Sequence, residues 1–257
     1  MHRRRFLALS SGALVGICGC ATQDTRPVDT TSDEPTETEE GVIDVLSGND
    51  SGGTDDDDVD DDDDAPDIIV SSHEIVTTEE QYRKSAAVLA ELKNVGASPS
   101  GGIRVTARFF DDEENPLDVA TEYLIGLNPD ETWKAYIPYY DDGSHVDSHE
   151  LEAAFQVEPL PRVPDGIEIL ESSLDADDEE AELNGRVRNV GEEPFDYLKA
   201  EAKFYADETT VLTSNYASTS NLDAESSWPF TVTYLPYDEE WASPITDYEL
   251  HVVDSPY

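Results

Sequence analysis

The sequence predicts an all-β protein, with two tandem antiparallel β-sandwich domains following a disordered acidic tether. Three observations predict it. The chain repeats itself without a gap, its apolar residues alternate at period two, and nearly all its aromatic residues lie beyond residue 80. Asn94-Val95-Gly96 is followed by Pro99, Ile103, Ala107, Phe109 and Phe110. Ninety-five positions later, Asn189-Val190-Gly191 is followed at the same spacing by Pro194, Leu198, Ala202, Phe204 and Tyr205. The same offset pairs Leu117 with Leu212, Leu127 with Leu222 and Trp133 with Trp228. A long ungapped match at one offset marks a duplicated structural unit. The boundaries read as 67–157 and 165–257.

Within each copy the strands declare themselves by alternation. Ile103, Val105, Ala107 and Phe109 alternate with Arg104, Thr106, Arg108 and Phe110, and Leu198, Ala200, Ala202 and Phe204 with Lys199, Glu201, Lys203 and Tyr205. Such a run over eight residues is the pattern of a half-buried strand. Trp133, Ala135, Ile137 and Tyr139 repeat it, as do Trp228, Phe230, Val232 and Tyr234. Val88, Ala90 and Leu92 correspond to Leu183, Gly185 and Val187, and the last strands are 149–153 and 247–252. Turn residues at 94–96, 111–116 and 128–130 separate these runs, and short strands so spaced build sandwiches. Residues 78–94 also fit a capped amphipathic helix, through Thr78, Tyr82, Ala86, Leu89 and Leu92. Their counterpart, 177–187, alternates and carries Gly185 in mid-run. Both are assigned as strands, because two copies share one fold.

The N-terminus is an export signal. His2-Arg3-Arg4-Arg5-Phe6-Leu7 opens an apolar run ending at Ile17, shorter than the roughly 20 residues that span a bilayer. It reads as a twin-arginine signal peptide over 1–19. Ile17-Cys18-Gly19-Cys20 is a lipobox pattern, with Cys20 as the lipidated residue. The expected location is the extracellular face of the cell membrane, held by a lipid on Cys20. Cys18 and Cys20 are the two cysteines of the chain, so cleavage before Cys20 leaves no pair to form a disulfide. Residues 20–66 form the Thr/Asp/Glu-rich tether, ending in the aspartate run 55–64 that only Val59 interrupts; such a block repels itself and stays extended. The run lacks the spacing and glycine of a calcium loop. Val42-Ile43-Asp44-Val45-Leu46 is its one apolar segment, a candidate for minor docking, and Asn49-Asp50-Ser51 is a glycosylation sequon.

Sixty acidic residues stand against 15 basic ones, a net charge of −45. That excludes nucleic acid as a partner, because binding it requires a basic footprint. The 12 Tyr, 7 Phe and 3 Trp distinguish the chain from an acidic disordered protein and point to a folded protein built for high salt.

The Asn-Val-Gly turn, the strand ending Phe109-Phe110 or Phe204-Tyr205, the acidic turn after it, Leu117 or Leu212, and Trp133 or Trp228 together resemble the FxLYD-domain family of surface lipoproteins, frequent in salt-loving archaea. The resemblance covers both repeats and implies immunoglobulin-like sandwiches. It brings no established reaction, so it implies no catalytic residue.

Chemistry finds little purchase. A blue-copper site needs Cys, His and usually Met, and no Cys follows Cys20. No Gly-x-Ser-x-Gly elbow is present, and no cofactor is expected. His145, Asp147 and His149 are the weak metal candidates, since alternate residues of a strand share one face. Trp241 lies in a loop four residues longer than its counterpart and is the candidate ligand contact. Phe109, Trp133, Phe204 and Trp228 are assigned to the core, with Trp228→Ala expected to cost about 3–5 kcal/mol and Trp241→Ala far less. The leading functional expectation is a non-enzymatic interaction or envelope-structural module, meeting other envelope proteins or surface glycans. The alternatives are a solute-binding lipoprotein of a transporter and a metal-dependent surface hydrolase.

Self-repulsion favours expansion of a chain so charged, and the Debye length grows from about 3 Å at 1 M salt to about 30 Å at 0.01 M. The second repeat, 165–257, is therefore expected to lose structure as salt falls from molar to millimolar, read by circular dichroism and tryptophan emission. A thermal midpoint that stays level or rises on desalting overturns the high-salt reading.

Overall fold

The structure is a computed structural model that describes residues 40–45, 65–80, 83–177, 180–234 and 245–254, with the backbone alone described at 40–45, 79–80 and 83. The signal, Cys20, the sequon, most of the tether and Trp241 lie outside the described residues. Among the described residues no helix is long and apolar enough to cross a membrane.

The chain is all-β. The strands are β1 (Glu40–Val45), β2 (Ile68–Glu80), β3 (Arg83–Asn94), β4 (Ile103–Phe110), β5 (Pro116–Leu124), β6 (Thr132–Tyr139), β7 (Ser148–Gln156), β8 (Ile167–Ala176), β9 (Ala181–Asn189), β10 (Phe195–Tyr205), β11 (Thr210–Leu222), β12 (Ser227–Tyr234) and β13 (Asp247–Val253). A single 3-10 turn, Gly143–His145, precedes β7. The segment that fitted either a helix or a strand is strand: β3 pairs with β2 on one side and β6 on the other.

The two copies pair their strands alike. In the first, β3 lies between β2 and β6, and β4 between β5 and β7. In the second, β9 lies between β8 and β12, and β10 between β11 and β13. The sheets are β1-β7-β4-β5, β12-β9-β8 and a continuous six-stranded β13-β10-β11-β6-β3-β2. The six-stranded sheet crosses from one copy to the other at β11–β6. That parallel contact pairs only Thr210 with Thr132 and Val211 with Trp133.

The Asn-Val-Gly motif has the same function in both copies. Asn94 is fully buried, donates from Nδ2 to the carbonyls of Ser98 (2.8 Å) and Leu127 (3.0 Å), and accepts at Oδ1 from Gly96 N–H (3.0 Å). Asn189 is likewise buried, donates to Glu193 (2.8 Å) and Leu222 (3.1 Å), and accepts from Gly191 (2.9 Å). A buried amide is tolerated when its hydrogen bonds are filled, and here they tie a strand end to two turns. The glycine is required for space in the first copy. A Cβ at Gly96 would lie 2.3 Å from Asp67 N and 2.4 Å from the Ala65 carbonyl oxygen.

Two clusters of buried residues fill the fold. One holds Val88, Leu92, Val105, Phe109, Leu124, Trp133 and Ile137, the other Leu183, Val187, Leu198, Phe204, Phe230, Val232 and Val252. Tyr205 and Val211, from the second copy, belong to the first cluster. Gly185 and Phe230 exchange volume relative to their counterparts Ala90 and Ala135: a Cβ at Gly185 would meet the Phe230 ring at 2.3 Å.

Two expectations need correction. The tether supplies a strand within 20–66, since β1 lies antiparallel on β7 from Glu40↔Gln156 to Val45↔Leu151. The open edge of β7 accepts a short segment with apolar residues among its polar ones. Trp228 is the second: it is only partly buried and packs on the edge of its cluster, whereas Trp133 is 2% exposed. The cause is position. Trp133 is covered where β11 crosses, and its Nε1–H donates to the Leu212 carbonyl at 3.3 Å; among the described residues no such strand lies beyond β12. Trp133→Ala is therefore expected to cost about 3–5 kcal/mol and Trp228→Ala distinctly less, measured by denaturant unfolding in molar salt. Equal losses would refute the assignment.

Candidate functional site

The most organised polar site lies where the copies meet. β10 turns one face, Leu198, Ala200, Ala202 and Phe204, into the second cluster. Its opposite face, which alternation alone assigns to solvent, is also buried: Lys199, Glu201, Lys203 and Tyr205 are at most 9% exposed. Lys203, 2% exposed, places Nζ 2.9 Å from Glu131 Oε2 and 2.6 Å from Glu249 Oε2. Tyr205 Oη shares its one hydrogen between Glu131 Oε1 at 2.7 Å and Glu249 Oε2 at 2.9 Å. Asn128 donates its backbone N–H to Glu131 Oε2 (2.7 Å), and its Nδ2 to Glu131 Oε1 (2.9 Å) and Glu249 Oε2 (3.2 Å). Glu131 and Asn128 come from the β5–β6 turn of the first copy, the others from β10 and β13 of the second.

This geometry sets the protonation states. Glu249 is held well below the ordinary carboxylate range, first by the His251 imidazole 3.3 Å away and then by Lys203, against the opposing effect of burial. Burial first, then the hydrogen bond and charge of Glu131, push the Tyr205 hydroxyl far above its usual value. Tyr205 is thus a fixed donor, and Lys203 a cation enclosed by two carboxylates and the Tyr205 ring 5.4 Å away. The arrangement fastens the copies together, with Lys203 paired to a carboxylate from each. Lys199 and Glu201 form a second near-buried pair at 2.8 Å on the same face.

The metal candidates separate. The 3-10 turn ends at His145 and the strand starts at Ser148, so the alternation argument does not apply to His145 and Asp147. Both are exposed. His149 instead meets His73 of β2: His149 Nε2 and His73 Nδ1 are 2.8 Å apart, with rings perpendicular. Among the described residues no group of three His, Cys, Asp or Glu is arranged to hold a metal ion. His73 was missed because nothing in its local sequence marks it; only pairing across the sheets brings it to His149. Phe109 and Phe204 are fully buried. Surface concavities line the β8-β9-β12 sheet, around Ser172, Asn184 and Thr231, and the β4–β5 edge, around Arg108, Leu117 and Glu150.

No protein-family model and no curated protein matches the chain. Among solved structures it is similar to red sea bream transglutaminase, at 10% identity and a TM-score of 0.22, covering 65% of this chain and 27% of that one. It is also similar to Bacteroides uniformis beta-glucuronidase 2, at 11% identity and a TM-score of 0.21, covering 73% of this chain and 32% of that one. The chain thus spans a third or less of the length of either, and neither likeness extends to activity.

Two predictions follow from the geometry. Lys203→Met should cost about 3–5 kcal/mol, because it leaves the buried Glu131 and the half-buried Glu249 facing each other without their cation; unfolding in molar salt measures it, and a loss near zero would contradict the role given to Lys203. The second concerns pH. Burial, and then the charge of His73, hold His149 below its ordinary value of 6.5. The folded state therefore favours the neutral ring, and this stability is present above 6.5 and lost as pH falls through the lower folded value. The thermal midpoint of His149→Gln should fall less on acidification from about pH 7 to about pH 5 than that of the unaltered chain. Parallel pH profiles would rule out the His pair as a contributor.

Proposed function

We propose that the protein is a lipid-anchored cell-surface module of two tandem immunoglobulin-like β-sandwiches, non-enzymatic, that contacts other envelope proteins or surface glycans. The observation that carries the reading is the order of parts. Arg3-Arg4-Arg5-Phe6-Leu7 and Ile17-Cys18-Gly19-Cys20 open the chain, an acidic stretch follows, and a duplicated all-β body ends it. The resemblance to the FxLYD-domain family supports the same reading. So does the junction, whose charged groups hold one another rather than face an open cleft. Display of a two-copy β body behind an acidic tether suits contact with neighbours in the envelope. The excess of carboxylates suits a surface bathed in concentrated salt, where counterions screen repulsion within a few ångströms.

Cys20→Ser tests the anchor. The altered protein should leave the detergent-dependent membrane fraction, or remain unprocessed at the mass of the full precursor. Unchanged fractionation and mass would reject lipidation at this residue.

A further inference from the structure

The junction joins two unlike surfaces. The second copy offers the β10–β11 edge, with Lys203, Tyr205, Leu212, Ser214 and Glu249. The first offers the β5–β6 turn and the start of β6, with Ile125, Asn128, Glu131 and Trp133. Such a contact is head-to-tail and does not close on itself. Because the copies share one pairing scheme, each partner surface exists a second time, uncovered, at the far end of the chain.

The uncovered counterpart of the clasping surface is the edge of β4 and β5. Arg108 stands for Lys203, Phe110 for Tyr205, Leu117 for Leu212, Val119 for Ser214 and Glu150 for Glu249. All five line one open groove, and Val119 is 55% exposed there. The uncovered counterpart of the inserted surface lies at the start of β12. Asp223 stands for Asn128, Ser226 for Glu131 and Trp228 for Trp133. Trp228 is partly buried, and its indole N–H has no acceptor among the described residues, whereas that of Trp133 is satisfied across the junction.

The cation between two acids recurs as well. In the junction Lys203 of the clasping side stands between Glu131 of the inserted side and Glu249 of its own, with Asn128 beside Glu249. At the free ends position 226 is neutral and the acid has moved to Asp223, so that Arg108 stands between Asp223 and Glu150. The groove adds one acid more, Asp118, where the junction has the neutral Thr213, a repulsion that molar salt screens. Among the described residues Arg108 has one ion pair, an exposed contact with Glu152 at 3.7 Å, and a pair of that kind holds it weakly.

We propose that a second copy of this chain docks head to tail here, its Trp228–Asp223 end entering the Arg108–Leu117 groove. Ser227 N–H meets the Glu114 carbonyl as Thr132 N–H meets that of Thr209 at 2.9 Å within the chain. Pro116 occupies the position of Val211, which pairs with Trp133, and supplies no N–H. Association between copies is therefore weaker and more reversible than the junction within one. The inference goes beyond the surface-module reading and does not need the lipid.

Sedimentation velocity of the full chain in molar KCl, over a wide concentration series, tests it. The weight-average mass should at least double at the upper end. Arg108→Glu, a change at an exposed side chain, should return the boundary to monomer with an unchanged circular dichroism spectrum, and Asp223→Lys should do the same. The combined charge swap should restore association, and Pro116→Val should shift the monomer–dimer midpoint to at least tenfold lower concentration. A wild-type chain that stays monomeric throughout overturns the proposal, whatever Pro116→Val does. So does self-association that Arg108→Glu leaves intact.

Discussion

The structure turns on one buried ammonium. Lys203 sits between Glu131 and Glu249 where the six-stranded sheet passes from one copy to the other. The backbone alone holds that crossing poorly, since only two residue pairs of β11 and β6 are in register. Desolvating three charges is costly, and their attraction repays the cost only when the remaining polar atoms are satisfied. Tyr205 Oη and Asn128 supply those hydrogen bonds. The cluster then favours one register over its alternatives, because a slip would leave carboxylates buried and unpaired. In a chain of net charge −45 this contact also behaves unlike the surface. Salt screens exposed charges over a Debye length of about 3 Å at 1 M, but ions do not enter between groups in direct contact. The interior pairs are therefore insensitive to the medium that the acidic exterior requires.

A second constraint is repeated rather than shared. Asn94 and Asn189 each end a central strand, and each spends its side-chain amide on two carbonyls and a glycine N–H of the turns beyond. Replacing either side chain by an apolar one would orphan buried backbone carbonyls, which cost more to leave unmade than they return when made. This explains why the motif recurs at one offset while the residues around it vary. The cores vary by compensation, as when Ala90 and Ala135 in one copy become Gly185 and Phe230 in the other.

Strands whose inner face is apolar and outer face polar were legible in the sequence: β4, β6, β10 and β12 all alternate there, and β3 and β9 were placed by their correspondence. The edges were not. β8 is exposed along most of both faces, and β11 runs Thr213-Ser214-Asn215-Tyr216 through its middle, so neither shows an apolar period for reading. β1 was half legible: Val42 to Val45 stood out as a candidate docking segment, but the composition around it speaks for extension. The junction was invisible for a different reason. Lys199, Glu201 and Lys203 look like a solvated face because period two reports which residues share a side, not what covers it. Trp133 and Trp228, equal by offset, differ in burial because only one of them meets the other copy. The His73–His149 contact joins residues 76 positions apart, beyond the reach of any local pattern.

A duplicated unit whose copies touch cannot keep them identical at the surfaces that touch. Interior positions answer to the same packing problem in both copies, and there the chain repeats itself: Ala107 and Ala202, Leu127 and Leu222, Phe109 and Phe204. Surface positions answer to different neighbours, and there it departs. Glu131 becomes Ser226, Tyr205 answers Phe110, and Val211 answers Pro116, all at the meeting edges and their free counterparts. Each departure has a direction. Tyr205 carries the hydroxyl that Phe110 lacks, and it faces the buried Glu131 and the half-buried Glu249. Pro116 removes a donor at the β5 edge, which no strand among the described residues covers, a common defence of open edges against indiscriminate pairing. The core records that the copies share a fold, while the places where they differ record what each must meet.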